Sequence, residues 1–418
     1  MHGNIDTVLI VMFCLLTLSC TAVSNGREQA AADPAPAGQA VEGNNRFALD
    51  LYGELIKENR EENIFFSPVS ISTALAMTYA GAKGDTAKEM AQTFHFDLVK
   101  KRLHSAYKKL LSALNDPQAG KSRAYELAVA NALWGQKGYK WLDSFLDVTE
   151  KNYGAGLKEI DFARAAEKAR VTINRWVEKQ TNSKIRDLIP EGVLGPMTRL
   201  VLTNAVYFKG TWTHTFKKRS TRDGDFTCAP GKSKTVPLMR QTEHFKYAES
   251  EGVKVLEMTY KGNDLSMVVI LPGKNGGFAP FEKALTLKKL SGLISKLKHE
   301  RVDVKFPRFK MTSSFQMQDV LSSMGMKKAF IFGKADFSGM NGVTSGNDRL
   351  FISAVIHKAF VDVNETGTEA AAATGAVMRV GMAPQRPKTF HADRPFVFLI
   401  RDMRSDNILF MGRVLKPE

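Results

Sequence analysis

Ser105 and Lys108 stand three residues apart in "LHSAYKKL". On a helix that spacing brings a lysine beside a serine hydroxyl, where it could act as general base for a nucleophile. This is S-x-x-K chemistry, but no Lys-Thr-Gly follows anywhere, and the pair sits midway along a basic amphipathic stretch. Surface residues one helical turn apart account for both. Other reactive patterns fall short too. "GVTSG" (342–346) places its serine one position too late for a nucleophile elbow. "GKS" (231–233) has Phe226 where a phosphate-cradling loop needs glycine. No CxxC or HExxH occurs, and the eight histidines show no zinc-ligand spacing. The sequence therefore predicts no catalytic residues, no metal and no cofactor.

Among 418 residues, 44% are hydrophobic and 24% charged, ordinary values for a soluble globular chain. The formal charge of +16 suits acidic partners (polyanions, anionic lipid or acidic proteins), or simply a well-solvated basic surface. Residues 8–20, "VLIVMFCLLTLSC", are too few to span a bilayer comfortably and predict an export signal over 1–24. The flank "MHGNIDT" carries no Lys or Arg, which is atypical of such signals. Cleavage at Ala22-Val23-Ser24 is one reading. The other is a lipoprotein signal ending at an acylated Cys20, although Thr17 departs from that pattern. The product would then be secreted, or membrane-anchored through Cys20. Cys14 and Cys20 belong to the signal, so the exported part keeps only Cys228 and must be stable without a disulfide.

Residues 25–44, rich in Ala, Pro and Gly, predict a flexible tether, with a single large domain over 45–418. Phe47, Leu51 and Leu55 share a helical face. Residues 67–94 open on a Ser-Pro helix start and break at Gly81 and Gly84. Residues 98–114 predict a helix with a basic face including Lys101, His104 and Lys108, and 166–181 another amphipathic helix. Strand-like runs lie at 125–134, 199–208, 253–260, 265–272, 301–311, 351–363, 396–400 and 408–414. Several are apolar on both faces. Helices gather early and strands late, which predicts an α+β fold.

Between two such strands lies "ETGTEAAAATGAVMRV" (365–380), a segment nearly without large side chains. With it, "NIFFSPVSISTALAMTYAGAKGDTAKEM" (63–90), "LTNAVYFKGTW" (202–212), "FPRFKM" (306–311), "ADFSGM" (335–340), "FHADRPFVFLIRD" (390–402) and the closing "ILFMGRV" resemble the serpin family. The similarity runs in the family's order over about 45–418. It implies an α+β domain with three β-sheets, eight or nine helices and an exposed reactive-centre loop. It also implies inhibition of serine proteases by a suicide-substrate route: the protease acylates itself on the loop, and the cleaved loop inserts as a new strand in the main sheet.

The matching positions carry expected roles. Glu365, Gly367, Thr368, Glu369, Ala370, Ala371, Ala372, Ala373 and Thr374 form the hinge. Glu365 resembles the hinge glutamate that pairs with a basic residue, here Arg308. Ser67, Ser70, Asn204 and His357 match the polar cluster where the sheet parts, and Trp212 the tryptophan where the loop first enters.

The hinge pattern is compatible with insertion. As a strand, 368–378 would present Thr368, Ala370, Ala372, Thr374, Ala376 and Met378 on one face, all uncharged. Glu369, followed at the end by Arg379, would lie on the other. Those residues span ~36 Å at ~3.3 Å each. Counting from Glu365, the seventeenth residue is Gly381, giving a Gly381–Met382 bait bond for proteases that accept small residues or rely on subsites. Recognition at Met382 implies elastase- or chymotrypsin-like targets, and Arg379 a trypsin-like one. Subtilisin-like enzymes fit the small-residue reading, and cysteine proteases are an alternative class. The basic helix 98–114 lies where some serpins bind sulfated polysaccharide. A non-inhibitory serpin (carrier, chaperone or polyanion binder) and an unrecognised hydrolase are the competing readings.

Overall fold

The computed structural model describes residues 36–115, 125–154, 156–274, 277–368 and 386–418. Residues 1–24, expected to be an export signal, with Cys20, and the segment from Glu369 through Ala370, Ala371, Ala372, Ala373, Thr374 and Arg379 to Gly381 and Met382 lie outside the described residues. The described helices are α1 (Pro36–Glu58), α2 (Pro68–Gly81), α3 (Gly84–Phe94), α4 (Lys100–Asn115) and α5 (Asp143–Tyr153). They continue with α6 (Phe162–Gln180), α7 (Phe278–Lys283), α8 (Leu287–Ile294), α9 (Met317–Ser323) and α10 (Ser338–Asn341). The strands are β1 (Ile64–Phe66), β2 (Tyr125–Gln136), β3 (Leu157–Ile160), β4 (Leu200–Thr211) and β5 (Arg222–Ala229). There follow β6 (Lys232–Ser250), β7 (Val253–Thr259), β8 (Leu265–Leu271), β9 (Lys298–Pro307) and β10 (Phe309–Gln316). The last are β11 (Ile352–Asn364), β12 (Gly367–Thr368), β13 (Lys388–His391), β14 (Phe396–Asp402) and β15 (Ile408–Val414).

Two hydrogen-bonded sheets result, of six strands (β10-β11-β12-β4-β2-β3) and nine (β1-β15-β14-β8-β7-β6-β9-β13, with β5 on β6). The long β6 pairs with β5 at one end and β7 at the other, so it joins what the family resemblance describes as two sheets. The β4 strand shows how the layers are set. Ala205 and Tyr207 point to α6 and pack with Phe162, Ile173 and Val177. Val206 and Phe208 point the opposite way, into a core shared with Phe398 and Phe410 of the nine-stranded sheet. Covered on both faces, such a strand reads as a continuous apolar run.

The α2 helix is buried nearly all round, and its start is capped by Ser67, whose Oγ accepts from the Ser70 amide. Its small residues let it sit against the sheet. Phe47, Leu51 and Leu55 of α1 are fully buried, as their spacing predicts. The tether expected over 25–44 ends earlier than that: α1 begins at Pro36, with Ala40, Val41 and Asn44 buried. The Asn44 amide donates to Asn407 Oδ1 (2.7 Å) and the Ile408 carbonyl (3.0 Å), so tertiary bonds extend the helix upstream of the periodic region. The run 301–311 is two strands that part at Arg308: its amide makes the last bond to β6, on the Pro237 carbonyl, and from Phe309 the chain pairs with β11 instead. His104 is also not on the basic face of α4. It is buried against Tyr153, with Nδ1 2.6 Å from the phenol oxygen, and burial followed by the Lys100 charge lowers its pKa to about 4. Lys101 and Lys108 remain exposed, as do Arg102 and Lys109.

Candidate functional site: a seam in the six-stranded sheet and the anchor at its mouth

β4 and β11 lie side by side and parallel, in unbroken register from Ala354↔Val201 to Phe360↔Tyr207. Beyond that point they part, and the two-residue β12 wedges between them. Thr368 pairs with Val363 on one side and Gly210 on the other, and Gly367 with Asn364 and Thr211. Both new pairings are antiparallel. A strand continuing from Thr368 down this line would replace one parallel ladder by two antiparallel ones, which are somewhat stronger per residue. Gly367 has φ +155°, and a Cβ there would collide with the Gly210 carbonyl, so the chain can turn into the seam only as glycine.

Midway along the closed part, a polar row crosses an otherwise apolar layer. Asn131 of β2 is opposite Asn204 of β4, which is opposite His357 of β11. The Ser67 amide donates to His357 Nε2 (3.2 Å), so the ring proton sits on Nδ1 and is donated to Asn204 Oδ1. Asn204 Nδ2 then donates to Ser70 Oγ (2.7 Å) and Asn131 Oδ1 (2.5 Å), while Ser70 Oγ also donates to Asn131 Oδ1 (3.0 Å). Ser67 Oγ donates to the Leu409 carbonyl (2.7 Å). His357 is fully buried, and burial lowers its pKa to about 3, so the ring is neutral at ordinary pH. Its bond to Asn204 spans the seam itself and must break if β4 and β11 separate.

At the mouth, an aromatic stack holds the entering chain. Trp212, 1% exposed, lies 4.6 Å from Tyr260 at 15°, and its Nε1 donates to the Asn364 carbonyl (3.1 Å). The Trp212 amide donates to the Thr366 carbonyl (2.9 Å). The Tyr260 hydroxyl meets Thr368 Oγ1 at 2.9 Å, and both residues are fully buried. Glu365 is buried as well. Its Oε1 accepts from Thr221 Oγ1 (2.7 Å), and its Oε2 lies 3.6 Å from Nε of the half-exposed Arg308. The Phe216 amide takes its carbonyl (2.8 Å). Further along the chain, β13 runs parallel to β9, and His391 Nε2 is 3.1 Å from Asp303 Oδ2. Arg240 forks onto the same carboxylate at 3.0 and 3.1 Å.

Ser67, Ser70, Asn204 and His357 thus form one connected network, and Trp212, Glu365, Gly367, Thr368 and Arg308 cluster at the mouth. The sequence reading missed Asn131, Tyr260 and Thr221. Asn131 had a signal, a lone amide inside the apolar "LAVANALW". Tyr260 and Thr221 had none, because only the folded register brings them to the hinge. Ser105 and Lys108 are solvent-exposed on α4, with no further reactive group brought to them among the described residues.

A sheet that a loop foot has already begun to enter defines a class, and comparison with known proteins gives the same one. The family model "Serpin (serine protease inhibitor)" matches residues 42–417. The chain is 43% identical to leukocyte elastase inhibitor of horse (Equus caballus), over 90% of this chain and 98% of that protein. It is 42% identical to human (Homo sapiens) Serpin B3, over 90% of this chain and 99% of that one. Among solved structures, human thyroxine-binding globulin complexed with thyroxine superposes with a TM-score of 0.81 at 32% identity, over 92% of this chain and all of that one. The chain belongs to the serpin family.

Proposed function

We propose that the protein is a suicide-substrate inhibitor of serine endopeptidases. The protease serine attacks the bait carbonyl, at Gly381 in the favoured reading, and the peptide bond breaks to leave an acyl-enzyme. The freed arm then runs from Thr368 down the seam between β4 and β11, carrying the protease with it. The observation that carries this reading is the antiparallel seating of Gly367–Thr368 between two parallel strands. Thr368 faces the dry core, so it fixes the phase of any strand that follows: Ala370, Ala372, Thr374, Ala376 and Met378 would go inward, Glu369 and Arg379 outward. Unpaired burial of either charge costs several kcal/mol.

Incubation with elastase, subtilisin and trypsin tests the reading. A covalent complex that survives denaturing detergent is expected with at least one of them. Cleavage without any complex would instead make the chain a non-inhibitory serpin, a reading for which the likeness to thyroxine-binding globulin speaks. Mass spectrometry of the released peptide assigns the scissile bond among Gly381–Met382 and its alternatives at Met382 and Arg379. Two accessory readings belong here. The exposed Lys101, Arg102, Lys108 and Lys109 on α4, a helix with no acidic residue, suit a polyanion, which retention on immobilised heparin would check. Residues 1–24 serve as an export signal, with Cys20 as the alternative lipid anchor, and the mass of the mature N-terminus decides between the two.

A further inference from the structure

We propose that the exposed turn Lys217-Lys218-Arg219 is a docking surface for an acidic patch on the target protease. This rests on the inhibitory reading above and adds a second contact outside the bait segment. The turn is a 3₁₀ segment, Lys218–Ser220, and all three basic side chains are exposed. Among the described residues, none of the three enters an ion pair. Arg222 is used differently: its Nη1 folds back onto the carbonyls of Arg219 (2.6 Å) and Thr221 (2.8 Å) and holds the turn in shape.

Position singles this turn out from other basic groups on the surface. On one side it is tied to Glu365, shortly before the bait segment in the chain, through the Phe216 amide on the Glu365 carbonyl and the Thr221 hydroxyl on the Glu365 carboxylate. On the other side the ladder runs β5–β6–β9–β13, with Arg222 opposite Leu238, Leu238 opposite Pro307, and Lys305 opposite His391. Three inter-strand steps of ~4.8 Å separate β5, which the turn directly precedes, from β13 by about 14 Å. A protease bound to residues 369–385 would be joined to the fold at these two ends, with the turn beside the first of them. The patch is also short, because the exposed Asp223 and Asp225 follow at once. A compact group of three charges fits a discrete acidic loop of a protein better than an extended polyanion. Such charges raise association rates through steering and are screened by salt.

The test uses the full chain with Lys217→Glu, Lys218→Glu and Arg219→Glu combined, keeping Thr221 and Arg222. A second variant carries alanine at the same three positions, and matched unfolding midpoints establish that both are folded. Association rates are measured with two proteases that the unsubstituted chain captures, one acidic around its active site and one basic. The acidic protease should slow about tenfold or more at low ionic strength, less with the alanine variant, and not at all in ~1 M salt. The basic protease should not slow, and the stoichiometry of capture should be unchanged for both. Unchanged rates, or equal slowing of both proteases, would overturn the docking surface while leaving the inhibitor intact. Loss of heparin retention with unchanged protease rates would assign the turn to a polysaccharide and overturn it as well. Failure of the unsubstituted chain to capture any protease would instead remove the inhibitory reading and this surface with it.

Discussion

The seam between β4 and β11 and the block β8–β14–β15 are both buried, but they are held together differently. In the block, neighbours run antiparallel over long ladders, from Val397↔Ile270 to Asp402↔Leu265 and from Phe396↔Val414 to Ile400↔Phe410. Phe396, Phe398, Phe410 and Ile400 fill one apolar face without a polar interruption. Its buried charges, Arg401 and Arg413, are bound by groups outside the three strands, among them Glu257 of β7 and Glu282 of α7. The seam is parallel, is stitched across by His357 and Asn204, and ends where Gly367–Thr368 already stand between its strands. Its polar groups can exchange partners, and its backbone gains ladders when a strand enters. The contrast teaches that two equally buried regions of one chain can be bonded differently, one by long antiparallel ladders and one by a parallel ladder with a polar link across it.

Thr368→Arg should give the largest effect. A guanidinium beneath Tyr260 has no partner in the core, so capture of protease should fall more than tenfold in favour of simple cleavage, while circular dichroism stays native. Undiminished capture would erase the claim that the mouth demands a small uncharged residue.

His357 tests the seam from within. His357→Ala leaves the Ser67 amide and Asn204 without a shared partner and should cost about 1–3 kcal/mol in denaturant unfolding. The pH dependence follows from the same burial. Because the folded pKa values of His357 (about 3) and His104 (about 4) lie below the unfolded value of ~6.5, the unfolded chain binds the extra protons in between. Stability is therefore full above pH ~6.5 and declines as pH falls toward 3. Substituting His357 should flatten that slope, and an unaltered slope would place the titration elsewhere.

A smaller effect isolates the latch at the mouth. Tyr260→Phe and Thr368→Val each strand one buried hydroxyl and should cost ~1 kcal/mol or more apiece, whereas the double variant strands neither and should cost less than the sum. Thr368→Ser should behave as the unsubstituted chain. Additive losses would mean that the 2.9 Å contact contributes nothing specific. Arg308→Gln should matter least, below ~1 kcal/mol, since Arg308 is half exposed and 3.6 Å from its partner.

Much of this was legible in the sequence where the local pattern and the fold agree. Ser67-Pro68 announced α2, the doubly apolar runs announced β4 and β11, and the hinge alternation put Thr368 on the inward face, where it is buried. What stayed hidden depended on register. The polar "KSKTVPLMRQTEHFKYAES" carries no clean period because β6 pairs in turn with β5, β9 and β7 and its burial changes along its length. Arg308 looked like the middle of a strand but is its break. The Ala-Pro-rich start of α1 looked like tether until Asn44 found Asn407, far away in the chain. Asn131 and Tyr260 gain meaning only from what lies opposite them.

The central claim is that the β4–β11 seam is short of one strand which the chain itself can supply. The direct test is thermal unfolding of intact protein beside protein nicked once within 369–385 by a protease it fails to retain. The account predicts that the nicked form, with both fragments still associated, unfolds at a much higher temperature than the intact form. Equal unfolding temperatures, with the nick confirmed by mass, would contradict it.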